Sequence, residues 1–404
     1  MNKDSPNPKA VYLILQGPLS SLYSEIGNYL ISRGVKVHKI NICGNDIMDW
    51  HHKGAINFDG KLEDWPEFLS QTARKLGVTH ILLHGDRRPY HKPAIQWAMD
   101  HSAKVFVTEL GYLRPDWITI EPWGTSMMSL FPRTLDEIES ICGSKTELDL
   151  TPVYPDNQWL IIYQELRWTF FNLIYTRKFP HFKTHRSQSP WIVYSGWLIS
   201  KLQAKISKQY DVAQLPKDKP YYIMGLQLEG DFQLRENSPF NSVFECIEYV
   251  IQSFAANAEA DSYLIFKPHP HEFRQRKIKK DIEELAGKFQ IEDRIRIVKN
   301  VPISTLCKDA AGFITVNSSA GFEALSAKCP TCTVAQTIYS IKGLTFQGSI
   351  DEFWSSGIQP DQSLLKLLQI ALSNSIQVRG TLYNKEGLVE AARHIGEKLY
   401  DKST

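Results

Sequence analysis

The sequence predicts an α/β fold of two lobes, each built on a parallel sheet, with a helical insertion between them and closing helices at the end. Three observations predict it. Val11–Gln16, a Gly17-Pro18 break, a helix to about Ser32 and the run Val35–Ile42 form a β-α-β opening. A second alternation of strands and helices starts at Tyr221, after a polar linker bounded by Pro216 and Pro220. Between them, residues 155–210 carry aromatic and cationic side chains and no strand pattern. The expected boundaries are an N-terminal lobe at 1–150, a helical connection at 151–215, a C-terminal lobe at 216–350 and closing helices at 351–404.

The elements follow in order. Ser20 or Ser21 caps the first helix and Gly34 ends it. Cys43–Trp50 reads as a loop, Trp65–Lys75 as a helix and Thr79–Leu83 as a strand. Pro93–His101 is a helix and Lys104–Val107 the next strand. In the second half the strands are Tyr221–Leu228, Tyr263–Phe266, Ile295–Val298, Phe313–Val316 and Thr331–Ala335. The intervening helices are Phe240–Ala255, Arg274–Phe289 and Pro302–Asp309, and Leu364–Ser373 and Glu386–Tyr400 close the chain.

Composition narrows the function classes. Forty-six basic residues nearly balance 44 acidic ones, for a formal net charge of +2, so no global charge argues for nucleic acid. The first turn is not G-x-G-x-x-G, so a dinucleotide fingerprint is absent. The six cysteines are scattered; only Cys329 and Cys332 are close, a weak signal for zinc or redox chemistry beside the reading as buried thiols. Met1–Ala10 is polar and contains prolines, and no run reaches the roughly 18 apolar residues of a membrane span. The expectation is a cytoplasmic protein whose membrane contact, if made, is peripheral.

Candidate chemistry collects at strand ends, where open α/β sheets bind ligands. In the first half, the loop after the first strand contributes Gly17. The loop His84–His91 contributes Asp86 and Arg88, and the loop from Glu109 to Asp116 contributes Arg114. In the second half, Gln227 and Asp231 follow one strand. Lys267, His269 and Pro270 follow the next, where two prolines stop the ladder and make a rigid loop. Asn317, Ser318, Ser319, Gly321 and Glu323 follow a third. A helix start with hydroxyl donors suits a phosphate, while Ser318 and Ser319 also read as plain helix caps and Asp231 as a turn carboxylate. Residues 155–210 read either as a linker bundle with solvated charges or as a surface for an anionic membrane or lipid-linked substrate.

Seven motifs in fixed order carry a family resemblance: Leu-Gln-Gly-Pro at 15–18, Gly-Asp-x-Arg-Pro at 85–89, Glu-x-Gly-Tyr-x-Arg-Pro-Asp-Trp-Ile-Thr at 109–119, Leu-Gln before Asp231, Lys-x-His-Pro at 267–270, Val-Asn-Ser-Ser-Ala-Gly at 316–321 and Tyr-Ser-Ile-Lys-Gly-Leu-Thr-Phe-Gln-Gly at 339–348. Over nearly its whole length the chain resembles the capsular polysaccharide biosynthesis/export family, the retaining β-Kdo transferases (Kdo is 3-deoxy-D-manno-oct-2-ulosonic acid). It is most similar to the single-domain members of Kps capsule systems that begin a Kdo linker on a phosphatidylglycerol lipid.

The resemblance implies two Rossmann-like lobes of the GT-B glycosyltransferase kind, with CMP-β-Kdo bound by the C-terminal lobe and a lipid or glycan acceptor by the N-terminal lobe. It implies that His269, Lys267, Ser318 and Ser319 hold the donor phosphate, that Glu323 reaches the ribose and that Asp231 is the nucleophile. Glu109 and Asp86 both stand as candidates for the acceptor base. Gly17, Arg88, Arg114 and Lys342 are assigned to the acceptor or the Kdo carboxylate. No metal or other cofactor is required, because CMP is a good leaving group. Other capsule biosynthesis and export proteins are implied as partners. Leu110 replaces a second Glu, and Arg87 stands where Cys is expected; both bear on acceptor specificity. A non-catalytic component of the capsule assembly, and a two-lobed enzyme using a UDP-sugar, are the alternative readings.

Overall fold

The computed structural model describes residues 10–184, 215–216, 218–228, 234, 236–269, 272 and 275–403. The fold is α/β, with two Rossmann-like lobes. The first unit gathers Met1–Phe131, Leu148–His185 and Leu372–Thr404; the second gathers Pro132–Glu147 and Arg186–Ala371.

The first unit holds a seven-stranded sheet. Its strands in chain order are β1 (Val11–Ile14), β2 (Lys36–Asn41), β3 (Ile56–Asn57), β4 (His80–His84), β5 (Lys104–Leu110), β6 (Trp117–Pro122) and β12 (Gln377–Arg379), in spatial order β12-β6-β5-β4-β1-β2-β3. β1 runs parallel between β2 and β4, pairing Tyr12 with Val37 and with His80. Side chains of β1 alternate between two cores: Tyr12 and Ile14 enter one, Leu13 and Leu15 the other. A parallel sheet covered on both faces produces this, so its strands read as unbroken apolar runs. Gly77, at φ +67°, ends the helix Trp65–Leu76 in the left-handed conformation that favours glycine.

Several sequence expectations are corrected here. Cys43–Trp50 is not a loop; Gly44–Asp49 is a short helix. β6 was not anticipated. It runs antiparallel to β5, with Glu109 opposite Thr119, and β12 pairs antiparallel with β6. The end of the chain therefore supplies a strand as well as closing helices. The helix Lys385–Ser403 buries Leu388, Ala391, Ile395 and Leu399 in the same core as Ile26 and Leu30 of the helix Leu22–Ser32. Asp116 fastens this region: its carboxylate accepts the Val153 and Tyr154 N–H groups at 2.7 and 3.0 Å and meets Arg379 Nη1 at 3.2 Å.

The second unit holds a five-stranded parallel sheet of β7 (Tyr221–Gly225), β8 (Tyr263–Lys267), β9 (Ile295–Ile297), β10 (Gly312–Thr315) and β11 (Thr331–Thr333), ordered β11-β10-β7-β8-β9. Alternation recurs: Tyr222 and Met224 enter one core, Tyr221 and Ile223 the other. Ser242 caps the helix Val243–Asn257 by accepting the Glu245 N–H at 3.2 Å. Of the helical connection, the described part holds Gln158–Ile174, capped by Asn157; residues 185–214 lie outside the described residues.

Candidate functional site

Each unit brings most of its described candidate groups to the C-terminal ends of adjacent strands. In the first unit, β5, β4 and β1 are neighbours, so the loops after them share one sheet edge. Arg88 Nη1 donates to Gln16 Oε1 and to the Gly17 carbonyl, both at 3.2 Å, and so braces the β1 turn. Gly17 leaves no room for a side chain, since a Cβ there would stand 3.0 Å from the Tyr23 ring. Gly85, at φ +74°, turns the chain back. A Cβ there would lie 3.3 Å from Glu109 Oε2 and 3.4 Å from Arg88 Nε, so Glu109 and Arg88 flank this glycine.

Behind Glu109 runs a buried polar chain. Tyr23 and Thr108 share a hydroxyl–hydroxyl bond of 2.8 Å, Thr108 meets His84 Nδ1 at 2.9 Å, and His84 Nε2 faces Glu109 Oε1 at 3.8 Å. Burial holds the His84 pKa well below its usual value, with Arg88 and His91 pushing the same way. His84 is therefore neutral, and its approach to Glu109 is a dipolar contact rather than an ion pair. His91 is also neutral: burial first, then Arg88, lowers it to about 3. It donates Nδ1–H to the Gly85 carbonyl at 2.8 Å, and its buried Nε2 has no partner among the described residues.

The two base candidates part company. Asp86 is 4% exposed, takes the Thr125 N–H at 3.4 Å and lies 3.8 Å from Arg87; burial raises its pKa. It is a loop clamp. The Glu109 side chain is 37% exposed, beside the Gly85 turn. Arg114 is exposed, next to a cis Arg114–Pro115 peptide.

In the second unit, β10, β7 and β8 are neighbours. Gln227 Nε2 donates to Asn317 Oδ1 at 2.9 Å and links the ends of β7 and β10. Asn317 Nδ2 donates to the Asn237 carbonyl at 3.2 Å. Ser318 Oγ accepts the Ala320 N–H at 3.2 Å, at the start of the helix Ala320–Ser326, whereas the Ser319 side chain makes no capping bond. His269 is half-buried, and its carbonyl takes the Glu272 N–H at 2.9 Å.

Three candidates have a further structural setting. Lys267 is buried, and its ammonium donates to the Lys299 carbonyl, tying β8 to the chain after β9. Gly321 exists for packing: a Cβ there would stand 2.2 Å from the Tyr339 hydroxyl, which itself donates to the Ser318 carbonyl. Lys342 belongs to the second unit and is exposed beside the Lys342–Thr345 bridge. Glu323 is exposed on the helix Ala320–Ser326. Asp231 and Pro270 lie outside the described residues.

Among the described residues, no group of three His, Cys, Asp or Glu side chains is placed to hold a metal ion. All six cysteines are buried free thiols, and Cys329 Sγ donates to the Pro330 carbonyl at 3.6 Å. Two surface hollows of the second unit, of about 150 and 340 Å³, are lined by residues such as Lys277 and Asp281, and Tyr222 and Trp354; neither includes a strand-end candidate. Sequence reasoning missed Tyr23, Thr108, Asn237 and the packing role of Tyr339. Only Tyr339 had a signal, its place at the head of the last motif.

A family model described as capsule polysaccharide biosynthesis protein matches residues 79–383. The capsule polysaccharide export protein KpsS of Escherichia coli is 30% identical over 378 residues, covering 92% of this chain and 96% of that protein. The capsule polysaccharide modification protein LipB of Neisseria meningitidis serogroup A is 28% identical over 393 residues, covering 92% of this chain and 91% of that protein. Among solved structures, the β-Kdo 2,7 transferase of Thermosulfurimonas dismutans KpsC aligns with 98% of this chain and 100% of that chain at 15% identity and a TM-score of 0.46. The matched span runs from β4 to β12 and contains every strand-end candidate except Gly17, and with this coverage the chain belongs to the capsule polysaccharide biosynthesis protein family.

Proposed function

We propose that the chain is a retaining β-Kdo glycosyltransferase that takes Kdo from CMP-β-Kdo and delivers it to a phosphatidylglycerol-type lipid or a glycan during capsule synthesis. The observation that carries this reading is the convergence of Gln227, His269 and the Asn317-Ser318-Ser319 turn on three neighbouring strand ends of the second unit. A carboxylate, Asp231, follows Gln227 closely in sequence. These are the parts needed to seat a nucleotide phosphate and attack the carbon it activates.

The steps balance as follows. The Asp231 carboxylate attacks the anomeric C2 of Kdo; the C2–O bond to phosphate breaks, and CMP leaves with that electron pair. His269 and the Ser318 and Ser319 hydroxyls steady the departing phosphate, while Lys267 and Gly321 hold their loops in place. The acceptor hydroxyl then attacks C2, gives its proton to Glu109 and restores the free carboxylate. Two inversions give net retention. Arg88 meets the acceptor phosphate or the Kdo carboxylate, and no metal enters the scheme.

The deciding experiment incubates the protein with CMP-β-Kdo and lysophosphatidylglycerol and looks by mass spectrometry for a gain of one Kdo. Asp231→Ala is expected to bind CMP and transfer nothing; transfer at the wild-type rate by that variant removes Asp231 from the mechanism. A thermal shift with UDP but none with CMP replaces the donor class, and a shift with neither leaves a non-catalytic capsule component.

A further inference from the structure

The helix Gln158–Ile174 is apolar on its outer face as well as at its buried Trp168. Trp159, Tyr163, Leu166, Phe170, Leu173 and Ile174 are each more than half exposed, with Trp159 at 77%. At 100° per residue they fall within an arc of roughly 100°, one unbroken stripe along the helix. The opposite face is mixed: it buries Trp168 and carries polar groups that fasten it. Gln164 is buried and donates to the Leu382 carbonyl at 3.1 Å, Arg167 pairs with Asp49, and Asn172 accepts the Asn45 N–H at 3.4 Å. Gly44 lets the two backbones meet, since a Cβ there would stand 2.3 Å from the Phe171 carbonyl. The helix is thus seated by a mixed inner face and still turns a continuous apolar stripe outward. A surface helix of a globular protein turns its polar face outward.

Charge says what covers the stripe. From Leu166 to Thr184 there is no acidic residue. Arg167 is used internally, but Arg177, Lys178, His181 and Lys183 follow the helix and are all exposed. A protein partner of ordinary composition would supply apolar surface without needing a purely cationic margin. An anionic lipid surface needs both, with aromatic residues at the level of the headgroups and cations against the phosphates. The helix cannot span a bilayer: no described helix is long and apolar enough. We propose that Gln158–Ile174 lies in the plane of an anionic bilayer, its Trp159–Ile174 stripe sunk among the acyl chains, and that Arg177, Lys178 and Lys183 select the anionic headgroups.

The test uses the full chain with no sugar donor present, so it stands apart from the transfer reaction. The protein is floated with vesicles of phosphatidylglycerol and phosphatidylethanolamine and, in parallel, with pure phosphatidylcholine. We expect co-flotation with the anionic vesicles at least tenfold above the neutral ones. The triple variant Trp159→Ser, Phe170→Ser, Leu173→Ser changes only exposed side chains and is expected to keep the wild-type melting temperature while losing flotation about tenfold or more. The variant Lys178→Glu, Lys183→Glu is expected to erase the anionic preference and leave weak binding to both vesicles. No flotation by the wild type, or undiminished flotation by the triple variant, overturns the proposal. So does a dimer of the wild type that the triple variant abolishes without any lipid binding, which would assign the stripe to a second copy of the chain.

Discussion

Gln227 and Asn317 grip one another across two neighbouring strand ends. Gln227 Nε2 donates to Asn317 Oδ1 at 2.9 Å, and the Asn317 backbone N–H returns a bond to Gln227 Oε1 at 3.4 Å. Because Asn317 Nδ2 donates to the Asn237 carbonyl, its Oδ1 must be the acceptor, and the orientation of both amides follows. Replacing Asn317 with Leu strips buried groups of two of these bonds, those made by its side-chain amide, and leaves the backbone one. We expect a loss of about 1–3 kcal/mol in urea unfolding and at least a tenfold weaker CMP-dependent thermal shift. Unchanged nucleotide binding would separate this pair from the donor site.

Glu109 and Asp86 are distinguishable by where their loss is felt. Glu109→Gln is expected to lower kcat about a hundredfold, the lower end of what a general base contributes, with little change in melting temperature. Asp86→Ala is expected to destabilise the protein by about 1–3 kcal/mol through the lost Thr125 bond. Asp86→Asn, which keeps an acceptor and removes a buried charge, should transfer Kdo nearly as well as the wild type. A collapse of kcat in Asp86→Asn would reverse the two roles.

Asp116 lies in the longest motif, yet its bonds to Val153, Tyr154 and Arg379 are structural. Its removal leaves a guanidinium and two N–H groups without their acceptor. Asp116→Ala should cost about 3 kcal/mol or more, with Asp116→Asn milder, both read from urea midpoints.

The buried histidines give a signed pH dependence. His91, held to about 3, stays neutral when the unfolded chain begins to protonate near the ordinary histidine value of 6.5. Its contribution is complete above pH 6.5 and is lost as pH falls from there toward 3. His80, lowered to about 4, and His84 act in the same direction. Asp49, raised to about 7 by burial, acts oppositely: its contribution is present below the ordinary aspartate value of 3.8 and is lost as pH rises through 7. His91→Asn should therefore shrink the fall in urea midpoint between pH 7.5 and 5, and Asp49→Asn should widen it.

Much of this was legible in the sequence, for a definite reason. β1, β4, β7, β8 and β10 are buried on both faces, and short apolar runs ended by Gly, Pro or charge announce such strands. β6 stayed hidden because Thr119 and Glu121 are buried polar residues that break its apolar run; Glu121 is satisfied by Tyr112 and Ser129. β12 is three residues long and gains its meaning only from pairing with β6. At the candidate site, residue types marked the strand ends but not the bonds of single side chains. The bond of Lys267 was not legible because the carbonyl it serves, Lys299, is 32 residues away. Gly321 looked like part of a phosphate turn because the Tyr339 ring that presses on it comes from a later motif.

The return of residues 377–403 to the first unit sets an order of events on the ribosome. The second unit is encoded up to Ala371, so all its strands can pair before the first unit has its last strand or its closing helix. Until then the first sheet waits with the Val378 side of β6 unpaired, the Leu22–Ser32 helix without Ile395 and Leu399 against its core, and the Tyr12 hydroxyl without the Leu399 carbonyl it meets at 2.8 Å. The unit begun first is finished last. A ribosome stalled near codon 376 would present a half-covered sheet to the chaperones, and truncations at that point are expected to be cleared by proteolysis even though every strand-end candidate is already in place.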